Sequence, residues 1–249
     1  MKESKIKGPT RMALKYTDTN GNLVKTIEDA DLQKQLDYCK ERYAQVGLDI
    51  TFTKQAETVP AGVTSNGVFI PINLSDGMDT LGTDNLLSEL EYKAIAALYG
   101  TPTNTSDINI IYSSFFNKLE INQNTGMEEK KLSGQIGFSI IKSQQATTSN
   151  NAFISGLFTA NGVGSTSANE LIFILAHELA HIFTNNGHFG QDYANPKPSN
   201  ITYNIEQNLL AEGGVVQNNN AWSGKLESTK RLSNNQKSMI INTGLTQTK

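Results

Sequence analysis

The 249-residue chain holds three histidines, His177, His181 and His188, all within one stretch of twelve residues. Imidazole is the commonest metal ligand among side chains, so a cluster of this kind reads first as metal chemistry. The segment runs S-A-N-E-L-I-F-I-L-A-H-E-L-A-H-I-F-T-N-N-G-H-F from Ser167 to Phe189. Four residues of helix advance the chain by about 400°, so His177 and His181 project from one face a turn apart, as two ligands of one ion must. Glu178 is offset by about 100°, beside the ion and within reach of a water rather than aimed at the metal. This is the H-E-x-x-H pattern, whose glutamate serves as general base. Shuffling this composition would produce it in roughly one chain in a thousand.

The helix that presents these groups is expected over 167–184. Ser167, with Glu170 three residues on, fits a capping box, and Asn185-Asn186-Gly187 is a turn that ends the helix. Between them Leu171, Ile172, Phe173, Ile174, Leu175, Leu179, Ile182 and Phe183 make it apolar on every side, the mark of a buried helix. A lone histidine there would be a core residue satisfied by hydrogen bonds. Here two imidazoles and a carboxylate must share an apolar interior, at a cost of several kcal/mol for the charge alone unless something compensates. A dication compensates, and one Zn2+ is expected at His177 and His181. His188 is the third candidate ligand, since it has no other evident task. The alternative third ligand is a carboxylate from further along, Glu206 or Glu212, which otherwise read as solvated surface groups.

The remaining elements must position that helix. Arg11 to Tyr16 alternates in part and leads into Asp18-Thr19-Asn20-Gly21-Asn22, so a strand and turn are expected. Leu32, Leu36, Cys39, Tyr43 and Val46 recur at helical spacing and stop at Gly47, which places Cys39 in the core as a small apolar residue. Leu48 to Thr53 alternates as a half-buried strand does, and Val68 to Ile72 is a short strand interrupted by Pro71. A second amphipathic helix is expected from Asp84 to Tyr99, closed by Gly100 and Pro102. Asp107 to Phe116, Gly134 to Ile141 and Ala152 to Phe158 read as strands, Gly134 and Gly137 leaving the backbone of theirs accessible. This order predicts a mixed sheet carrying helices, an α+β or α/β arrangement.

Composition bounds the function. Hydrophobic residues make up 37% and charged residues 18%, with net charge -3, as in an ordinary folded globular protein. There is no basic excess to neutralise phosphates, which argues against nucleic acid. No apolar run exceeds six residues, far short of the ~20 that a membrane-spanning helix needs. The start, MKESKIKGPT, lacks an apolar stretch behind its basic residues and is not expected to be a secretory signal. One cysteine excludes an internal disulfide and a cysteine-based zinc site. The length fits a single domain over 1–249, and Asn-rich loops suit an exported protein.

The segment resembles the metzincin metallopeptidases, in which H-E-x-x-H-x-x-G-x-x-H supplies three zinc-binding histidines. Thr184 stands at the glycine position, and His188 comes seven residues after His181 rather than six. Asn208-Leu209-Leu210 lies where the family's Met-turn falls, with Leu210 in place of methionine as the apolar floor beneath the metal. Tyr193 and Tyr203 are candidates for the family's zinc-assisting tyrosine. Gly134 to Ile141 resembles the edge strand lining the cleft, and the stretch from Leu232 to Ile241 resembles the C-terminal helix. The resemblance implies an α+β, metzincin-like fold. It comprises an N-terminal subdomain, 1–187, of twisted mixed sheet and helices, a zinc cleft, and a small, mostly irregular C-terminal subdomain, 188–249, ending in a helix.

It further implies a zinc metalloendopeptidase in which His177, His181 and His188 bind the ion and Glu178 is catalytic. The substrate would be a protein or peptide bound in extended form along the edge strand. Such domains occur as secreted digestive or virulence proteases and as toxin domains carried by delivery systems, so action outside the producing cell is expected. Nothing in the sequence specifies a dedicated inhibitor or immunity protein. Two other readings are a gluzincin-like peptidase using Glu206 or Glu212, and a non-enzymatic, zinc-stabilised peptide-binding protein. Against the last, a purely structural zinc site has no use for an acid at Glu178. An inhibitory N-terminal segment is not expected either, since the one cysteine, Cys39, sits on a helix core face.

Overall fold

The computed structural model describes residues 4–8, 10–17, 20–52, 56–59, 62–65, 68–71, 78–79, 107–113, 116–132, 136–141, 150–156, 171–185, 209, 232 and 234–249. Among them the chain is a mixed α+β protein of several small sheets and three helices. In chain order the elements are β1 (Ser4–Ile6), β2 (Thr10–Thr17), β3 (Leu23–Lys25), α1 (Asp29–Ala44), β4 (Leu48–Asp49), β5 (Ala56–Val59), β6 (Gly62–Ser65), β7 (Val68–Pro71) and β8 (Met78–Asp79). Then come β9 (Ile108–Ser113), β10 (Phe116–Ile121), β11 (Glu128–Leu132), β12 (Gly137–Ile140), β13 (Asn151–Ser155), α2 (Ile174–Thr184), α3 (Asn234–Asn242) and β14 (Thr246–Thr248). No described helix is long and apolar enough to cross a membrane.

The largest sheet has the order β12-β13-β9-β2-β3, with β5 also paired to β2. Strands β13, β9 and β2 run parallel, while β12 and β3 are antiparallel to their neighbours. Every residue of β9 and β13 is buried, as befits parallel strands covered on both faces. Register sorts the side chains into two layers, because successive residues of a strand point to opposite faces. One row is Met12, Ile110, Ala152 and Ser139, and the next is Tyr112, Ile154 and Gly137. Both face the helices: Tyr112 donates its hydroxyl to Gln35 Oε1 on α1 at 2.8 Å, and Ser139 contacts Glu178 on α2. On the opposite face Ile111 and Phe153 are buried, and Phe138 stacks on Phe153 with centroids 4.7 Å apart.

Helix α1 matches its sequence pattern. Leu32, Leu36, Cys39, Tyr43 and Val46 are all buried, Asp29 and Asp31 lie in the first turn where the helix dipole favours acids, and Gly47 takes a left-handed φ of 77° just beyond the end. Cys39 is a core residue whose thiol burial pushes its pKa up. The alternation from Leu48 is real as burial, with Leu48 and Ile50 inside and Asp49 and Thr51 outside, but only Leu48 and Asp49 pair with β1. Pro71 is accommodated at the end of β7, in a two-stranded sheet with β6. The stretch from Asp107 to Phe116 is two strands rather than one: β9 ends at Ser113, and Phe116 opens β10 in another sheet. The expected helix from Asp84 to Tyr99 lies outside the described residues.

Helix α2 is buried at every position and packs on α1, β12, β13 and α3. It begins later than the capping-box reading has it. Residues 171–173 form a tighter turn, and the helix starts at Ile174, its register held by burial of Leu171 and Phe173 rather than by a side-chain cap. Ser167 and Glu170 lie outside the described residues. Near the C-terminus, α3 covers most of the helical stretch expected up to Ile241, and β14 returns to pair antiparallel with β1.

Candidate functional site

Two contacts fix α2 against its neighbours. The hydroxyl of Tyr43 on α1 donates to the Ala176 carbonyl at 2.8 Å, and the same ring meets Phe183 edge-on with centroids 5.3 Å apart. A buried tyrosine hydroxyl needs a polar partner, and here that partner is main chain one residue before His177. The helix ends where Asn185 adopts a left-handed conformation, φ 52°, within the turn expected of Asn185-Asn186-Gly187. Asparagine tolerates that region better than other residues with a Cβ. Thr184, still helical and buried, turns its hydroxyl back to the Ala180 carbonyl at 2.7 Å.

On this frame His177 and His181 converge as their spacing requires. Their Nε2 atoms face each other at 3.0 Å, and the rings stand nearly perpendicular, at 87°, with centroids 4.6 Å apart. The other side of His177 is set by main chain, its Nδ1 donating to the carbonyl of buried Leu209 at 2.6 Å. A carbonyl only accepts, so Nδ1 carries the proton, and in the neutral ring Nε2 carries the lone pair. Two imidazole nitrogens that close need a proton or a cation between them. Two nitrogens each about 2.0–2.1 Å from one tetrahedral zinc ion stand about 3.3 Å apart, so the pair fits such an ion with a small adjustment. The carbonyl on Nδ1 is the kind of outer partner that orients a metal-binding histidine.

Glu178 is directed elsewhere, into β12. Its Oε2 accepts the Ser139 hydroxyl at 2.7 Å, and the same hydroxyl lies 2.9 Å from the main-chain oxygen of Glu178. Gly137, the next residue on that face of the strand, provides the space for the carboxylate. Burial pushes the Glu178 carboxyl up to about 8, the Ser139 hydrogen bond acting in the opposite sense.

Of the expected site residues, the structure thus brings together His177, His181 and Glu178, with Gly137 against the glutamate. His188, Glu206, Glu212, Tyr193, Tyr203 and Leu210 lie outside the described residues, and among the described residues no group of three His, Cys, Asp or Glu forms a metal cluster. Three residues lie on elements expected near the site but make contacts that were not expected. Ser139 could have been found from its place two residues after Gly137 on an alternating strand, and Tyr43 from its polar tip on an otherwise apolar helix face. Leu209 acts through its carbonyl, which side-chain patterns do not report. The chain matches no protein-family model and no curated protein sequence.

Proposed function

We propose that the protein is a zinc-dependent endopeptidase of metzincin type, with His177, His181 and His188 holding one ion and Glu178 as general base. The observation carrying this reading is the pair of Nε2 atoms facing at 3.0 Å, with His177 Nδ1 tied to the Leu209 carbonyl. The turn after α2 supports His188. In H-E-x-x-H-x-x-G-x-x-H the glycine stands three residues before the last histidine, and here Asn185, in the left-handed region, stands three before His188. The helix runs one residue longer, through Thr184, and the turn and the histidine shift together. The same proposal takes 1–187 and 188–249 as subdomains on either side of the zinc cleft.

Zinc held by these histidines would supply Lewis-acid chemistry, polarising a peptide carbonyl and acidifying water. Glu178 takes the proton of the attacking water on its carboxylate and passes it to the leaving amine. A carboxyl held near 8 by burial ionises more readily beside a dication, which favours its charged form.

The substrate is an extended protein or peptide chain lying along β12, the edge of the largest sheet among the described residues. The Ser155 amide donates to the Ile136 carbonyl, so with the antiparallel register the main-chain groups at 136, 138 and 140 point toward β13. Those of Ser139 point away from β13, while its side chain faces Glu178. Ser139 therefore serves both the alignment of a bound chain, through its main chain, and the general base, through its hydroxyl.

The test is Glu178→Gln, which keeps the shape and removes the base. Zinc stoichiometry should match wild type while cleavage of labelled casein falls by at least about a hundredfold, the usual scale of general-base loss. A Glu178→Gln protein that cleaves casein at the wild-type rate contradicts the assignment.

A further inference from the structure

We propose that Ser139 is a positioning residue for Glu178, a clamp between the substrate-side edge strand and the general base; the inference rests on the peptidase reading. Its hydroxyl lies within hydrogen-bonding distance of two oxygens of the same residue, Oε2 at 2.7 Å and the main-chain oxygen at 2.9 Å. A contact to the carboxylate alone would tether its tip. Its one proton, shared between the tip and the helix main chain, places the carboxylate relative to α2, and so relative to His177 and His181 on the same helix.

The strand is built to hold Ser139 at that spot. Phe138, between Gly137 and Ser139, points to the opposite face, stacked on Phe153 at an interplanar angle of 11° and close to Phe116 with centroids 5.4 Å apart. A one-residue slip of β12 would turn Phe138 toward Glu178 and send Ser139 away, so the aromatic contacts set the register that presents the hydroxyl. Because the main-chain groups of Ser139 point to the outer edge, a chain pairing with β12 firms the same residue that holds the base. Substrate docking and base placement are thereby linked through one side chain. The Ser139 hydroxyl touches neither substrate atoms nor a metal ligand in this scheme; it acts through Glu178.

The test has two parts on the 249-residue chain. In the metal-free form, a double-mutant cycle of Ser139→Ala and Glu178→Ala is read as urea midpoints. Ser139→Ala should lower the midpoint in the wild-type background and lower it less in the Glu178→Ala background; strictly additive shifts overturn the proposal whatever turnover does. In the zinc-loaded form, with fluorescein-labelled casein as probe, Ser139→Ala should reduce kcat about tenfold with KM and zinc stoichiometry unchanged, and Ser139→Thr, which restores the hydroxyl, should recover most of the loss. An unchanged kcat in Ser139→Ala, or no recovery in a folded Ser139→Thr protein, overturns it. If the zinc-loaded wild type leaves casein intact, the peptidase reading is what fails, and the cycle alone decides whether Ser139 positions Glu178.

Discussion

A Cβ built on Gly137 would lie 2.8 Å from Oε1 of Glu178, and 3.1 and 3.2 Å from its Cγ and Cδ. Real Cβ atoms essentially never come so close to another heavy atom, so a methyl group here must push the Glu178 side chain aside. Gly137→Ala should displace the carboxylate and reduce casein cleavage by one to two orders of magnitude, on the scale of a misplaced catalytic group. Zinc stoichiometry should stay at the wild-type value, because His177 and His181 lie on α2 and not on the strand. Parallel measurement of metal content and turnover in this variant checks both halves of the expectation.

The buried carboxyl of Glu178 makes metal-free stability depend on pH. Its folded value, about 8, lies above the ordinary 4.5, so the folded state holds the proton after the unfolded chain has lost it. The sign follows: the contribution is fully present below about 4.5 and is lost as pH rises through about 8. Unfolding free energies of the metal-free protein, from urea denaturation, should fall across that window by at most ~1.4 kcal/mol per pH unit, and Glu178→Gln should flatten the profile. A profile with the same slope in both proteins would assign the effect to another group.

Tyr43 anchors α2 through one hydrogen bond near its start and one ring contact near its end, and the two can be separated. Tyr43→Phe keeps the edge-on packing against Phe183 and removes the donor to Ala176. The expected loss is about 0.5–1.5 kcal/mol in urea denaturation, with the protein still folded. Tyr43→Ala removes the ring as well and should cost about 3–5 kcal/mol, enough to unfold many domains.

Much of this site is legible in the sequence because its logic is periodic. The spacing of His177 and His181 fixes a shared helix face, the face from Leu32 to Val46 predicts the buried side of α1, and the asparagines after Thr184 mark a helix end. Features set by tertiary contact are less legible. The capping box at Ser167 and Glu170 points to an earlier start for α2, yet the turn at 171–173 follows the burial of Leu171 and Phe173. Asp107 to Phe116 reads as one strand since its residues are continuously strand-like, and only the pairing of β9 with β2 and β13, and of β10 with β8 and β11, divides it. Hairpin β10–β11 is absent from the expected elements: Phe116–Ile121 and Glu128–Leu132 carry many charged and polar residues, although the turn at Asn122–Gly126, with φ 67° at Gly126, has the composition of a turn. Main-chain acceptors such as the Leu209 carbonyl carry no side-chain signature at all.

The central claim, that three histidines hold one zinc ion, is tested most directly by zinc titration of folded wild type against His188→Ala. The account predicts one zinc per wild-type chain and at least about a hundredfold weaker binding in His188→Ala, the loss expected when a ligand is removed from a three-histidine site. Binding near the wild-type strength in His188→Ala would contradict it and move the third ligand to Glu206 or Glu212. A wild-type chain that binds no zinc would contradict the metal centre itself.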